Sequence, residues 1–117
     1  MALRVQTEIS GDVFILRCDG RIGFEDDCAV LRESVGTMLS GMPKLVVNLE
    51  GVEYIDSEGV GMLVGLFVSA RNRGGELKLA SLHKRVKDVL RRTSLDTIFR
   101  VYGSNDEAVA AFSRQIA

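Results

Sequence analysis

Tryptophan is absent from this chain, proline and histidine occur once each, and cysteine occurs twice. Each scarcity removes a class of chemistry. With no Trp and only 6% aromatic residues, a stacking platform for nucleic-acid bases is not expected. The single histidine, His83, cannot furnish a histidine metal set. Nothing in the sequence pairs it with a serine, so a hydrolase lacks its base. Cys18 and Cys28 have neither metal-site nor redox spacing. They read as small buried side chains in a reducing cytosol. The net charge is only −1, which excludes a global field for nucleic acid or acidic lipid. No apolar run approaches the roughly 20 residues that cross a bilayer, and the start carries no signal-peptide pattern. A cytoplasmic location is expected, with no membrane association.

What remains is an ordinary globular composition, 46% hydrophobic and 26% charged over 117 residues. That length fits one domain over 1–117. Residues 3–9 alternate apolar and polar, Ser10-Gly11-Asp12 signals a turn, and 13–18 reads as a second strand, closed by Gly20. Residues 24–39 carry apolar side chains at helical spacing, with Glu25, Asp26 and Asp27 in the first turn; Gly41-Met42-Pro43 ends that helix. An apolar run over 45–49 is the signature of a strand buried on both faces. A short loop then leads to Asp56-Ser57 and a broad apolar helix over 57–73, expected to be buried on more than one side. Residues 76–80 alternate as a strand. Ser81 is placed to cap a helix over 82–92. A short strand over 99–102 and a capping box, Ser104 to Glu107, precede a terminal helix bearing Ala108, Val109, Phe112 and Ile116. The order β-β-α-β-α-β-α-β-α predicts an α/β fold. It has a mixed sheet of four to five strands, an N-terminal hairpin followed by βα units, and about four helices.

Gly59, Gly61 and Gly65 follow a strand, but their spacing is one residue too long for a dinucleotide fingerprint, and no glycine precedes the helix. P-loop and nucleophile-elbow motifs are absent. No cofactor motif is found. Glu53, Asp56 and Glu58 could hold a divalent cation or be merely solvated. Lys84, Arg85, Lys87, Arg91 and Arg92 form a basic helix face, read either as solvated or as a docking patch for an acidic partner. Ser57 carries the sharper signal. A hydroxyl at a helix start can cap the helix, bind an anion or accept a phosphoryl group. Gly59 and Gly61 beside it cannot shield it, and each costs helix stability unless something must approach closely. A phosphate there would sit at the positive end of the helix dipole. Phosphoryl acceptance is therefore the reading preferred.

From Val47-Asn48-Leu49-Glu50-Gly51 through Val52-Glu53-Tyr54-Ile55 to Asp56-Ser57-Glu58-Gly59-Val60-Gly61-Met62-Leu63-Val64, the chain resembles the STAS domain family, specifically the bacterial anti-sigma-factor antagonists. Gly20, the stretch Gly75-Glu76-Leu77-Lys78-Leu79-Ala80 and residues 95–99 extend the likeness over nearly the whole chain. The resemblance implies a non-enzymatic signalling module. Ser57 is then the phospho-acceptor and Asp56 shapes its loop. The unphosphorylated form binds an anti-sigma factor that is also a GHKL-type serine kinase, and so frees the sigma factor. A PP2C-type phosphatase resets the switch. Asp56, Ser57, Glu58, Gly59, Gly61, Met62 and Gly23 form the implied partner-binding set, on a monomer or weak dimer without direct nucleic-acid contact. The sequence departs from the family pattern at three places. Glu58 stands where Ser or Thr is common, Gly23 where an acidic residue is common, and Ser94 where Gly often ends the helix. The alternative is a STAS scaffold that is not phosphorylated, a docking subunit of a signalling or transporter complex.

Overall fold

A hairpin and its following crossovers build a sheet in which strand order equals chain order. The computed structural model describes residues 3–22, 33, 35, 36, 41 and 44–114. Strands β1 (Arg4–Ser10) and β2 (Val13–Ile22) are antiparallel, with Ser10 opposite Val13. Strands β3 (Lys44–Ile55), β4 (Glu76–Ala80) and β5 (Val101–Tyr102) then add in parallel, giving a five-stranded mixed sheet in the order β1-β2-β3-β4-β5. Helix α1 (Ser57–Asn72) joins β3 to β4, helix α2 (Lys84–Arg92) leads from β4 towards β5, and helix α3 (Asn105–Arg114) follows β5. Most of the helix expected over 24–39 lies outside the described residues. Glu33, Val35 and Gly36 within it are helical, and Val35 is fully buried.

The central strand separates two cores. Leu45, Val47 and Leu49 enter the larger one, with Val60, Leu63 and Leu66 of α1 and Val86 and Leu90 of α2. Val46 points the other way, into a smaller core with Ala108 and Phe112 of α3. A buried aliphatic side chain is worth roughly 1.5–3 kcal/mol, so a strand buried on both faces anchors both layers. Its one buried amide, Asn48, is satisfied: Nδ2 donates to Oδ1 of Asn105 at 2.8 Å, and Oδ1 accepts from the N–H of Glu50 at 3.0 Å. Lys78 of β4 is fully buried on the α3 side. It is paired with Glu76, and its ammonium lies 4.7 Å from the ring centre of Phe112.

Several expected boundaries move. The loop expected after Leu49 is strand: β3 continues to Ile55, because Gly51, Val52, Tyr54 and Ile55 pair with an equally extended β2. Gly20 does not end β2. With φ +111° it sits at a register shift between the two strands, and pairing resumes through Ile22. A second irregularity brings Asp19 against Gly51, where a Cβ would meet the carboxylate oxygen at 1.8 Å. Helix α2 starts at Lys84 rather than at residue 82, and its cap is His83, whose Nδ1 accepts the N–H of Arg85; the Ser81 hydroxyl donates instead to the carbonyl of Gly103. The last strand is only Val101–Tyr102, and a 3₁₀ turn over Leu95–Thr97 precedes it. Met62 and Leu66 of α1 are buried, but Val68 is 48% exposed, so the apolar surface of that helix does not extend to it. The capping box is present, but Glu107 reaches the N–H of Gly103 while its own N–H is taken by the Ser104 hydroxyl. Ile116 and Cys28 lie outside the described residues.

Candidate functional site

Because β2 to β5 run parallel, their C-terminal ends and the starts of α1, α2 and α3 share one end of the sheet. Ser57 is there, as the first residue of α1, and it is exposed. The residue that caps α1 is Asp56. It is extended (φ −108°, ψ −174°), and its Oδ1 accepts the N–H of Gly59 at 3.0 Å. Its carbonyl accepts the N–H of Val60 at 2.9 Å, and its own N–H donates to the carbonyl of Ile22 at 3.2 Å. Ser57 is thereby spared the capping role. Among the described residues no hydrogen bond takes the N–H of Ser57 or Glu58, so two donors at the helix start remain open to an anion.

The other implied site residues divide by exposure. Glu58 and Gly61 are exposed; Gly59 and Met62 are buried and shape the surface from beneath. Gly59 is a close-approach glycine: a Cβ there would stand 2.2 Å from the carbonyl oxygen of Ile22. Gly61, one turn from Ser57, has nothing within 4 Å of where its Cβ would be. Gly23 lies outside the described residues. Of the three carboxylates near Ser57, Asp56 is spent on capping. Glu53 stands 4.0 Å from Nε2 of His83. With its Nδ1 engaged by Arg85, His83 is a helix cap and no base for Ser57.

Tyr54 was not among the residues singled out from sequence. It is 48% exposed at the end of β3, and with Arg4, Asp19, Arg21, Glu50 and Glu53 it lines a shallow cavity of about 380 Å³. Reading residues 50–55 as a loop concealed it. An aromatic residue three positions before the serine becomes informative only once that segment is known to be strand.

Together these features define a small α/β domain whose distinctive element is an uncovered serine at the junction of a buried strand and a helix. The STAS domain family model matches residues 4–108, and the chain belongs to that family. It is 28% identical over 105 residues to the anti-sigma-B factor antagonist of Bacillus subtilis, covering 90% of this chain and 87% of the relative. A Thermotoga maritima protein described as an anti-sigma factor antagonist is similar in crystal structure, with a TM-score of 0.84 and 28% identity over 92% of each chain. The curated Thermotoga relatives are matched over only part of their length. The match with the Thermotoga neapolitana protein is 38% identical over 59% of this chain and 61% of the relative. The Thermotoga maritima match is 35% identical over 64% of this chain and 66% of the relative. Among the described residues no helix is long and apolar enough to cross a membrane.

Proposed function

We propose that this chain is an anti-sigma-factor antagonist switched at Ser57. Unphosphorylated, it binds an anti-sigma factor that is also a GHKL-type serine kinase and so releases the sigma factor. Phosphorylation ejects the partner, and a PP2C-type phosphatase restores the starting state. The observation that carries this reading is the exposed Ser57 hydroxyl, freed because Asp56 does the capping. A phosphate on it would find the open N–H groups of the first turn and the positive end of the helix dipole, so the fold would tolerate it. To a docked partner the same phosphate is an added charge of about −2 that must be desolvated or repelled. The partner surface comprises Asp56, Ser57, Glu58 and the open flank at Gly61, with Tyr54 beside them; the protein acts in the cytoplasm as substrate and ligand rather than as catalyst. Incubation with a GHKL-type anti-sigma kinase and ATP, followed by intact mass, tests this. One phosphate is expected on the wild type and none on Ser57→Ala; an unmodified wild type, or equal labelling of the variant, refutes it.

Glu58 favours a second reading. An exposed carboxylate directly after the acceptor repels ATP and the acidic site of a kinase, which suits a docking subunit that is never phosphorylated. In that case partner affinity is indifferent to Ser57→Asp, whereas the switch requires it to fall.

A further inference from the structure

The outer face of α2 carries Lys84, Arg85, Lys87, Arg91 and Arg92, all exposed. The chain has fifteen Lys and Arg and sixteen Asp and Glu, yet this helix holds five of the former and, in Asp88, one of the latter. Ten basic residues face fifteen acidic ones in the remainder. This helix therefore concentrates positive charge in a chain whose net charge is −1.

Helix stability does not explain the arrangement. Arg91 and Arg92 suit a last turn, but the first turn has no acidic residue and instead starts with Lys84 and Arg85, with Lys87 just beyond them, against the helix dipole. Lys84 and Lys87 stand three residues apart, and Lys87 and Arg91 four; both are like-charge neighbours on one surface. Asp88 is engaged by Arg91 at 2.6 Å, and its carbonyl by Arg92. Among the described residues Lys84, Arg85 and Lys87 form no ion pair with any carboxylate. Three cations are thus held where they weaken their own helix and, among the described residues, neutralise no carboxylate.

We infer that this face docks an acidic peptide segment of a protein partner. A planar anionic membrane or a long polyanion meets the field of the whole molecule, in which the acidic remainder opposes approach. A short acidic segment lying along nine residues of helix, about 13 Å, meets the patch alone. The helix also begins at the end of the sheet that carries Ser57, next to Glu53 through His83. One protein can therefore engage both surfaces, yet the inference stands whether or not Ser57 is phosphorylated.

The test is a titration of the full ¹⁵N-labelled chain with a short oligo-glutamate peptide, repeated with phosphatidylserine vesicles and with duplex DNA at the same ionic strength. Saturable shifts confined to α2 and its neighbours are expected. Lys84→Gln/Arg85→Gln/Lys87→Gln should weaken peptide binding about tenfold or more, and added salt should abolish it. The triple variant should melt no lower than the wild type, because it relieves the first turn. Ser57→Ala should leave peptide affinity unchanged, which separates this inference from the phosphorylation reading. Absence of saturable binding, shifts spread over the surface, undiminished affinity in the triple variant, or tighter binding to vesicles or DNA would each overturn it.

Discussion

Asp56 accepts the N–H of Gly59 at 3.0 Å, and that single bond relieves Ser57 of capping the helix. Serine and aspartate are both good helix caps, and at a strand-to-helix junction either could hold the first turn. Here the aspartate does, one position earlier, so the helix begins with the serine already inside it and its hydroxyl uncommitted. The same residue anchors the junction to the sheet through its N–H on the carbonyl of Ile22.

Asp56→Ala should therefore cost about 1 kcal/mol of unfolding free energy, the usual loss of a cap, while Asp56→Asn should be nearly neutral. Ser57→Ala should leave stability unchanged. Ser57→Asp, an anion at the helix start, should raise it by about 0.3–1 kcal/mol at low salt. Urea unfolding of the four variants measures this ordering. A large loss in Ser57→Ala would mean the hydroxyl has a structural task after all.

Gly59 and Gly61 should respond with opposite signs to the same substitution. Gly59→Ala drives a methyl into the Ile22 carbonyl, a main-chain atom that cannot step aside, and should cost about 1–3 kcal/mol. Gly61→Ala meets open space and improves helix propensity, so it should gain about 0.5–1 kcal/mol. If Gly61 is kept free so that a partner can approach, the stabilised Gly61→Ala protein should bind that partner less tightly. Thermal melts paired with a binding titration separate the two effects.

The contrast between these glycines also marks how far the residues alone could lead. Both could be recognised as costly in a helix, but which one the fold demands depends on β2 extending to Ile22, a fact of long-range pairing. The buried run 45–49 and the helix of 57–73 were legible because their apolar patterns are strong and local. Residues 50–55 were not, because Glu50, Gly51, Glu53 and Tyr54 interrupt the apolar pattern, and the strand is held by its register with β2. The same ambiguity hid the exposed Tyr54 and assigned the cap of α2 to Ser81. In the fold Ser81 is left-handed (φ +57°) and bonds to Gly103, leaving His83 to cap. The exposed position of Ser57 at the helix start is legible in the sequence, while the capping role of Asp56 emerges only from the hydrogen bonds.

Ser94 gives a third prediction. Ser94 follows the last turn of α2 with φ +60° and ψ +17°, a conformation that favours glycine, and its N–H closes on the carbonyl of Arg91 at 3.1 Å. Its side chain makes no capping bond in return. Left-handed backbone costs a residue with a Cβ about 1 kcal/mol, so Ser94→Gly should stabilise the protein by up to about that amount. A β-branched Ser94→Val should destabilise it. Denaturant midpoints of the two variants on either side of wild type would verify the strain; two midpoints on the same side would refute it.

Cys18 sets the behaviour at alkaline pH. It is 2% exposed on β2, and burial, assisted by the neighbouring charge of Asp19, pushes its thiol from 9.0 up to about 12. The folded value is raised, so below the unfolded value the thiol is neutral in both states and its contribution to stability is complete. As pH rises between 9.0 and about 12 the unfolded chain ionises and the folded chain does not. Stability then drains away at about 1.4 kcal/mol per pH unit, levelling off once the folded thiol ionises too. Other groups titrate in the same window, so the informative quantity is the difference from Cys18→Ala. That variant should be the less stable at neutral pH, through lost packing, yet the gap should narrow steadily above about pH 9. Urea unfolding of both proteins from about pH 7 to about pH 11 measures it; parallel curves would show that the Cys18 thiol ionises as readily in the fold as out of it.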